Sequence, residues 1–140
     1  MKWEPFKEFK GKELVRFATK KAEALDMIGS GQTVGLGKAD ISTALKGCNM
    51  FAFMEFKFED MKKELEDSPL TPKGINKQIK SVAIHIKGGE GLSTEQCMEI
   101  VESISNIVPK ASVFWGATAK GKDKVTVAAI LGAYDKSLRP

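Results

Sequence analysis

Histidine and cysteine are nearly absent from this chain, and their scarcity removes most of the common routes to chemistry. The 140 residues hold one histidine, His85, and two cysteines, Cys48 and Cys97. With no second histidine and no clustered cysteine pair, a zinc site is not expected. No Ser-His-Asp or Cys-His set can be assembled, so a self-contained enzyme is not expected either. The two cysteines lie far apart among apolar neighbours, which reads as buried, reduced thiols in a cytoplasmic chain rather than a disulfide.

Long apolar runs are missing too. None approaches the roughly 20 residues that span a bilayer, so no membrane partner is expected. The start, Met1-Lys-Trp-Glu-Pro-Phe-Lys-Glu, has no apolar core of the kind a signal peptide needs. There is no internal repeat and no low-complexity tract. Charge of one sign is also not concentrated. The net charge of +4 comes from lysines spread along the chain and mostly interrupted by acids, which is how a solvated surface looks. A nucleic-acid module would need interleaved aromatics or a groove-reading helix. Neither is visible, which makes this the weakest of the functional readings.

What is present is a regular alternation of strand and helix signals. From Lys12 to Ile28, the residues Leu14, Phe17, Ala18, Leu25 and Ile28 share one helical face. Gly29-Ser-Gly31 is expected to stop that helix. After a glycine-rich connection, a short helix is predicted from about Ala39 to Lys46, closed by Gly47. Asn49 to Phe56 is nearly continuous in apolar residues, as in a strand covered on both faces or at a subunit contact. Phe58, Met61 and Leu65 mark a helix ending near Asp67-Ser68-Pro69, and Thr71 to Lys80 reads as a loop.

The second half carries the clearest signals. Ser81 to Ile86 is a strand leading into Lys87-Gly88-Gly89-Glu90-Gly91-Leu92. A helix opens at Ser93, where Ser93 and Gln96 form a capping-box pair. Its stripe of Cys97, Ile100, Val101, Ile104, Ile107 and Val108 runs to Pro109. Strands follow at Ser112 to Thr118 and Val125 to Ala133, around the turn Lys120-Gly121-Lys122-Asp123. This order predicts an α+β two-layer sandwich with a mixed sheet of about four strands packed by helices.

Two phosphate-binding patterns are tempting and both fail. The Gly37-Lys38 pair invites a P-loop, but Gln32 stands at the first glycine position and Ala39 replaces the hydroxyl residue that would hold magnesium. The dinucleotide pattern breaks at Val34 and at Asp40. His85, out of phase with Ile84 and Ile86, reads as a surface or satisfied core residue. Glu90 and Glu95 lie where acids favour a helix start.

The block Ser81-Val-Ala-Ile-His-Ile-Lys-Gly-Gly-Glu-Gly-Leu-Ser93, with Ala111 to Ala117 and Lys124 to Tyr134 after it, resembles the C-terminal domain of FtsZ, the prokaryotic tubulin relative. Lys38-Ala39-Asp40-Ile41, Leu45-Lys46-Gly47 and the strand to Phe56 are similar to that domain's synergy-loop helix and first strand. Leu14 to Ile28 resembles the end of the helix that links the two FtsZ halves. The resemblance implies a single domain over 1–140, with 1–30 as the end of a connecting helix and 31–140 as the α/β core.

It also implies a role. In FtsZ the nucleotide sits in an N-terminal domain that has no counterpart in these residues, so no cofactor is expected in this chain. GTP and magnesium would enter only through a GTP-binding half elsewhere. The family's C-terminal half supplies a loop that completes the next subunit's hydrolysis site, with an Asn, then an Asp two residues later and a second Asp three further on. Those positions read Gly35, Gly37 and Asp40. Glycine cannot orient water or face a magnesium-phosphate group. Asp40 is the remnant of the activating loop or a cap for the helix after it. The expected function is a non-catalytic contact domain that binds itself or an FtsZ-like subunit through Gly35, Gly37, Lys38 and Asp40. The alternative is a portion of an FtsZ-like GTPase that needs its other half.

Overall fold

The computed structural model describes residues 2–10, 12–28, 32, 34–66, 77–122 and 124–135. Strand β1 (Lys2–Glu8) is followed by helices α1 (Lys12–Ala24) and α2 (Lys38–Leu45). Strand β2 (Met50–Lys57) leads through one 3₁₀ turn into α3 (Met61–Glu66). Then come β3 (Lys77–Gly88), α4 (Thr94–Ile107), β4 (Ser112–Ala119) and β5 (Thr126–Asp135).

The five strands form one sheet in the order β1-β2-β5-β3-β4. Every neighbouring pair is antiparallel except β3 and β4. A parallel pair needs a crossover, and α4 supplies it. The α+β class and mixed sheet expected from the sequence are therefore present, with β1 as the additional strand. Helices lie on both faces, so the layers number three rather than the two expected. On one, α3 and α4 cover Met54, Ile84, Ile86 and Leu131. On the other, α1 and α2 cover Phe51, Phe53, Ala83 and Ile130. Double coverage explains the unbroken apolar run of β2, where Met50 to Met54 are all buried.

Helix α4 forms where its capping signals lie. Ser93 Oγ accepts the Gln96 backbone N–H at 3.1 Å, and Gln96 Oε1 accepts that of Ser93 at 3.2 Å. Its apolar stripe then buries Cys97, Ile100, Val101 and Ile104. Each such aliphatic side chain contributes about 2 kcal/mol of burial.

Three local readings are corrected. Residues 2–8, assigned from the sequence to the end of a connecting helix, form a strand instead. Trp3 and Phe6 pack against the sheet, and Lys21 of α1 holds Glu4 at 2.7 Å. The loop expected over Thr71 to Lys80 gives way to β3 at Lys77, because the partner β5 runs on to Asp135 and pairs with it. An irregularity between Ile79 and Ser81 absorbs one residue and hides the alternation.

The third correction concerns α1, which ends at Ala24 rather than at the glycines near 29. Asp26 takes a left-handed conformation, φ 52°. Met27 N–H donates to Ala22 C=O at 2.8 Å and Asp26 N–H to Glu23 C=O at 3.1 Å. That bonding is a Schellman motif with aspartate where glycine is usual. Residues 29–31 and 67–70, which carried the expected stops of α1 and α3, lie outside the described residues.

Candidate functional site

The connection into α2 lies against the sheet's β4 edge. Val34 and Ala117 exchange both backbone hydrogen bonds, at 3.0 and 2.8 Å, as a one-residue antiparallel bridge. Gln32 braces the segment from inside: Nε2 donates to Met27 C=O and Oε1 accepts Leu36 N–H, each at 2.5 Å. Leu36 is buried. Gly116 permits the close approach, since a Cβ there would stand 2.7 Å from Leu36 Cβ and from the Val34 carbonyl oxygen. Residues 34–36 therefore pass from the β4 edge onto the sheet face, and beyond them Lys38 and Ala39 are exposed.

The four residues singled out from the sequence fall together at the start of α2. Asp40 Oδ2 accepts the Gly37 N–H at 2.8 Å, one half of a capping box. Gly37 is the N-cap residue, with an extended backbone that any residue adopts. Gly35 is exposed, and a side chain there would meet nothing within 4 Å. Neither glycine is demanded by backbone geometry or packing. Lys38 Nζ pairs with Glu23 of α1 at 3.3 Å, both side chains well exposed, so the pair adds little stability.

The chemical capacity of this loop is small. Asp40 is its one carboxylate, and an oxygen of it is already engaged by Gly37. Among the described residues of the loop, one acid and one base, Asp40 and Lys38, do not make a magnesium or nucleotide site. Among the described residues no group of three or more His, Cys, Asp and Glu could hold a metal ion.

His85 lies on the same sheet face, level with Gly116 in register. It is buried, with Nε2 3.1 Å from Thr118 Oγ1. Its pKa is pushed down to about 4, first by burial and then by Lys87, with Asp26 acting weakly in the opposite sense. It is a neutral core residue, hydrogen-bonded through Nε2 while the buried Nδ1 has no partner, so it is only half of the satisfied core residue expected. The cysteines are free. Cys97 is buried in the α4 core, while Cys48 is half-buried beside α2 on the opposite face. Burial raises the pKa of both, so neither is a ready thiolate.

The sequence reading missed Val34, Gln32 and Gly116. Val34 is one of few large apolar side chains exposed among the described residues, at 38%. Its signal was a β-branched residue between glycine-rich flanks. In the sequence, Gln32 shows only as the residue that breaks a phosphate loop. Gly116 is a glycine inside a strand pattern, which often marks close backbone approach.

Comparison with known proteins identifies the fold. An empty FtsZ dimer from M. jannaschii matches with a TM-score of 0.56 and 21% identity over 89% of this chain. A tryptophan-to-tyrosine mutant of M. jannaschii FtsZ matches with a TM-score of 0.54 and 19% identity over 91%. The chain spans less than half of those proteins, 45% and 42% of their lengths. No protein-family description matches the chain, and no curated protein does. The fold is thus that of a portion of FtsZ. No helix among the described residues is long and apolar enough to cross a membrane.

Proposed function

We propose that this chain is a non-catalytic contact domain of an FtsZ/tubulin-like protein, which meets an FtsZ-like subunit through the loop at the start of α2. Its setting would be a cytoplasmic cytoskeletal or cell-division polymer. The observation that carries the reading is the fold match over 89% of this chain but only 45% of an FtsZ chain. The loop supports it. Bracing by Gln32, Ala117 and Asp40 gives a fixed shape to an exposed surface of Val34, Gly35, Lys38 and Ala39. A preorganised loop loses less entropy on docking than a loose one.

Catalysis by the chain alone is disfavoured by the loop's chemistry, because glycines stand where water would have to be oriented. A second reading rests on the same partial coverage: the chain is the activating half of an FtsZ-like GTPase whose nucleotide-binding half lies elsewhere. Both readings expect no GTP binding by the chain alone and a complex with an FtsZ-like subunit; stimulated hydrolysis in that complex separates them. Calorimetric titration of GTP into the chain should give no heat of binding, and micromolar binding would overturn the contact-domain reading. Sedimentation with an FtsZ-like subunit should give a complex that Lys38→Glu weakens. If GTP hydrolysis by that subunit rises on mixing, the GTPase reading gains instead.

A further inference from the structure

The two edges of the sheet are built in opposite ways. β1 carries Lys2, Glu4, Lys7 and Glu8, has Pro5 at its centre, and loses register with β2 between Glu4 and Lys7. Charge, proline and a bulge are the common devices that stop an edge strand from pairing with another chain. β4 has none of them. Its eight residues, Ser-Val-Phe-Trp-Gly-Ala-Thr-Ala, contain no charge and no proline.

Backbone direction shows which groups on β4 are open. Ala117 turns both N–H and C=O outward, to Val34. With a period of two, Val113 and Trp115 turn theirs outward as well, while Ser112, Phe114 and Gly116 face β3. Among the described residues, nothing pairs with those outward groups of Val113 and Trp115. Val34 covers the edge only at Ala117, and Leu36 then leaves the edge to cover Gly116. The side chains of Val113, Phe114 and Trp115 are all half-exposed.

We propose that this open stretch pairs with the same stretch of a second copy of this chain, antiparallel about a two-fold axis through Phe114. The edge is self-complementary in that register. Val113 of one copy stands opposite Trp115 of the other, and the two exchange both backbone bonds, giving four bonds across the axis. The facing pair joins an aromatic to a β-branched side chain on the α4 face, a favourable cross-strand combination. Phe114 meets its own copy on the opposite face. With no charge on either strand, nothing repels across the seam, whereas a strand like β1 would bring a charge against it. Val34 ends the pairing at position 117, so the seam spans residues 112–116. That length is short, and the dimer is accordingly of the weak, concentration-dependent class. This interface adjoins the α2 loop, which bounds it at Val34, and does not depend on the contact-domain reading.

Sedimentation velocity of the full chain across a concentration series tests it. The expected result is reversible doubling of mass, abolished by Val113→Pro. A proline there removes an N–H that points away from β3, so no bond inside the sheet is lost. Val113→Lys should act alike, and an unchanged thermal melt certifies that either variant is folded. The register is read by Phe114→Cys. Residues facing themselves across a two-fold lie roughly 4.5 Å apart at Cα, close enough for a disulfide. Mild oxidation should therefore link Phe114→Cys into a covalent dimer and leave Ser112→Cys unlinked. A chain that stays monomeric to millimolar concentration, or a dimer that survives both Val113 variants, overturns the proposal. So does a monomer whose 113–115 amides gain protection only when a foreign extended peptide is added.

Discussion

Asp40 holds the Gly37 backbone N–H at 2.8 Å, so the one acid of the exposed loop is tied to the first turn of its own helix. Loss of that bond in Asp40→Ala should lower stability by about 1 kcal/mol, read from urea unfolding. Asp40→Asn keeps a carbonyl acceptor and should recover most of the loss. If Asp40 also serves partner binding through its charge, Asp40→Asn will weaken the complex while leaving stability near wild type. Equal effects on both readouts in both variants would reduce Asp40 to a cap.

Gly116 makes a sharper test of the loop's attachment. Alanine there would push its Cβ to 2.7 Å from Leu36 Cβ and from the Val34 carbonyl. Overpacking of this kind costs about 2 kcal/mol. The loop, lying at the edge, is the part expected to give way. Gly116→Ala should therefore speed amide exchange at Val34 and Ala117 more than in α4. Unchanged exchange at those two amides would show that the loop is not seated on the sheet.

The end of α1 offers a gain. Asp26 stands in the left-handed region at φ 52°, where an L side chain crowds its own backbone. Asp26→Gly should raise stability by about 0.5 kcal/mol, relief of strain outweighing the looser unfolded chain. Asp26→Ala should instead lower it by about 1 kcal/mol, because alanine lacks the local hydrogen bonding that lets aspartate tolerate this region. Thermal melts of the pair give the sign directly.

His85 predicts an acid-side loss of stability. Its folded pKa of about 4 lies below the ordinary 6.5, with burial as the main cause. Between those values the unfolded chain binds a proton that the folded one refuses, so stability falls as pH drops below 6.5 and the fall is complete near 4. A shift of that size corresponds to about 3 kcal/mol at most. The wild type should therefore lose more stability than a folded His85→Gln variant over that window. Parallel pH profiles for the two proteins would remove His85 as the cause.

Much of the fold was legible in the chain. The capping pair Ser93 and Gln96, the stripe after it and the apolar run of β2 each follow from local spacing, and each element formed where the spacing put it. Less legible were boundaries set by partners. Lys77 to Lys80 is a strand because β5 continues to Asp135 and pairs with it. Residues 2–8 pair because β2 leaves an open edge beside them. The end of α1 is illegible for a different reason: glycines at 29 and 31 carry the usual stop signal, while the cap is closed earlier by an aspartate in a conformation that sequence alone rarely assigns.

The candidate site divides in the same way. Residue types and spacing spoke against phosphate cradles and metal clusters, and the resemblance to FtsZ pointed to Gly35, Gly37, Lys38 and Asp40, four residues already close together in the chain. Tertiary structure decided what the stretch rests on. Gln32, Val34 and Gly116 act through contacts with Met27, Leu36 and Ala117, the Val34 and Gly116 contacts reaching more than seventy residues along the chain. It also decided which strand became the unguarded edge. A sequence shows that β4 carries no charge, but only the strand order places it outermost, with the backbone groups of Val113 and Trp115 turned away from the sheet.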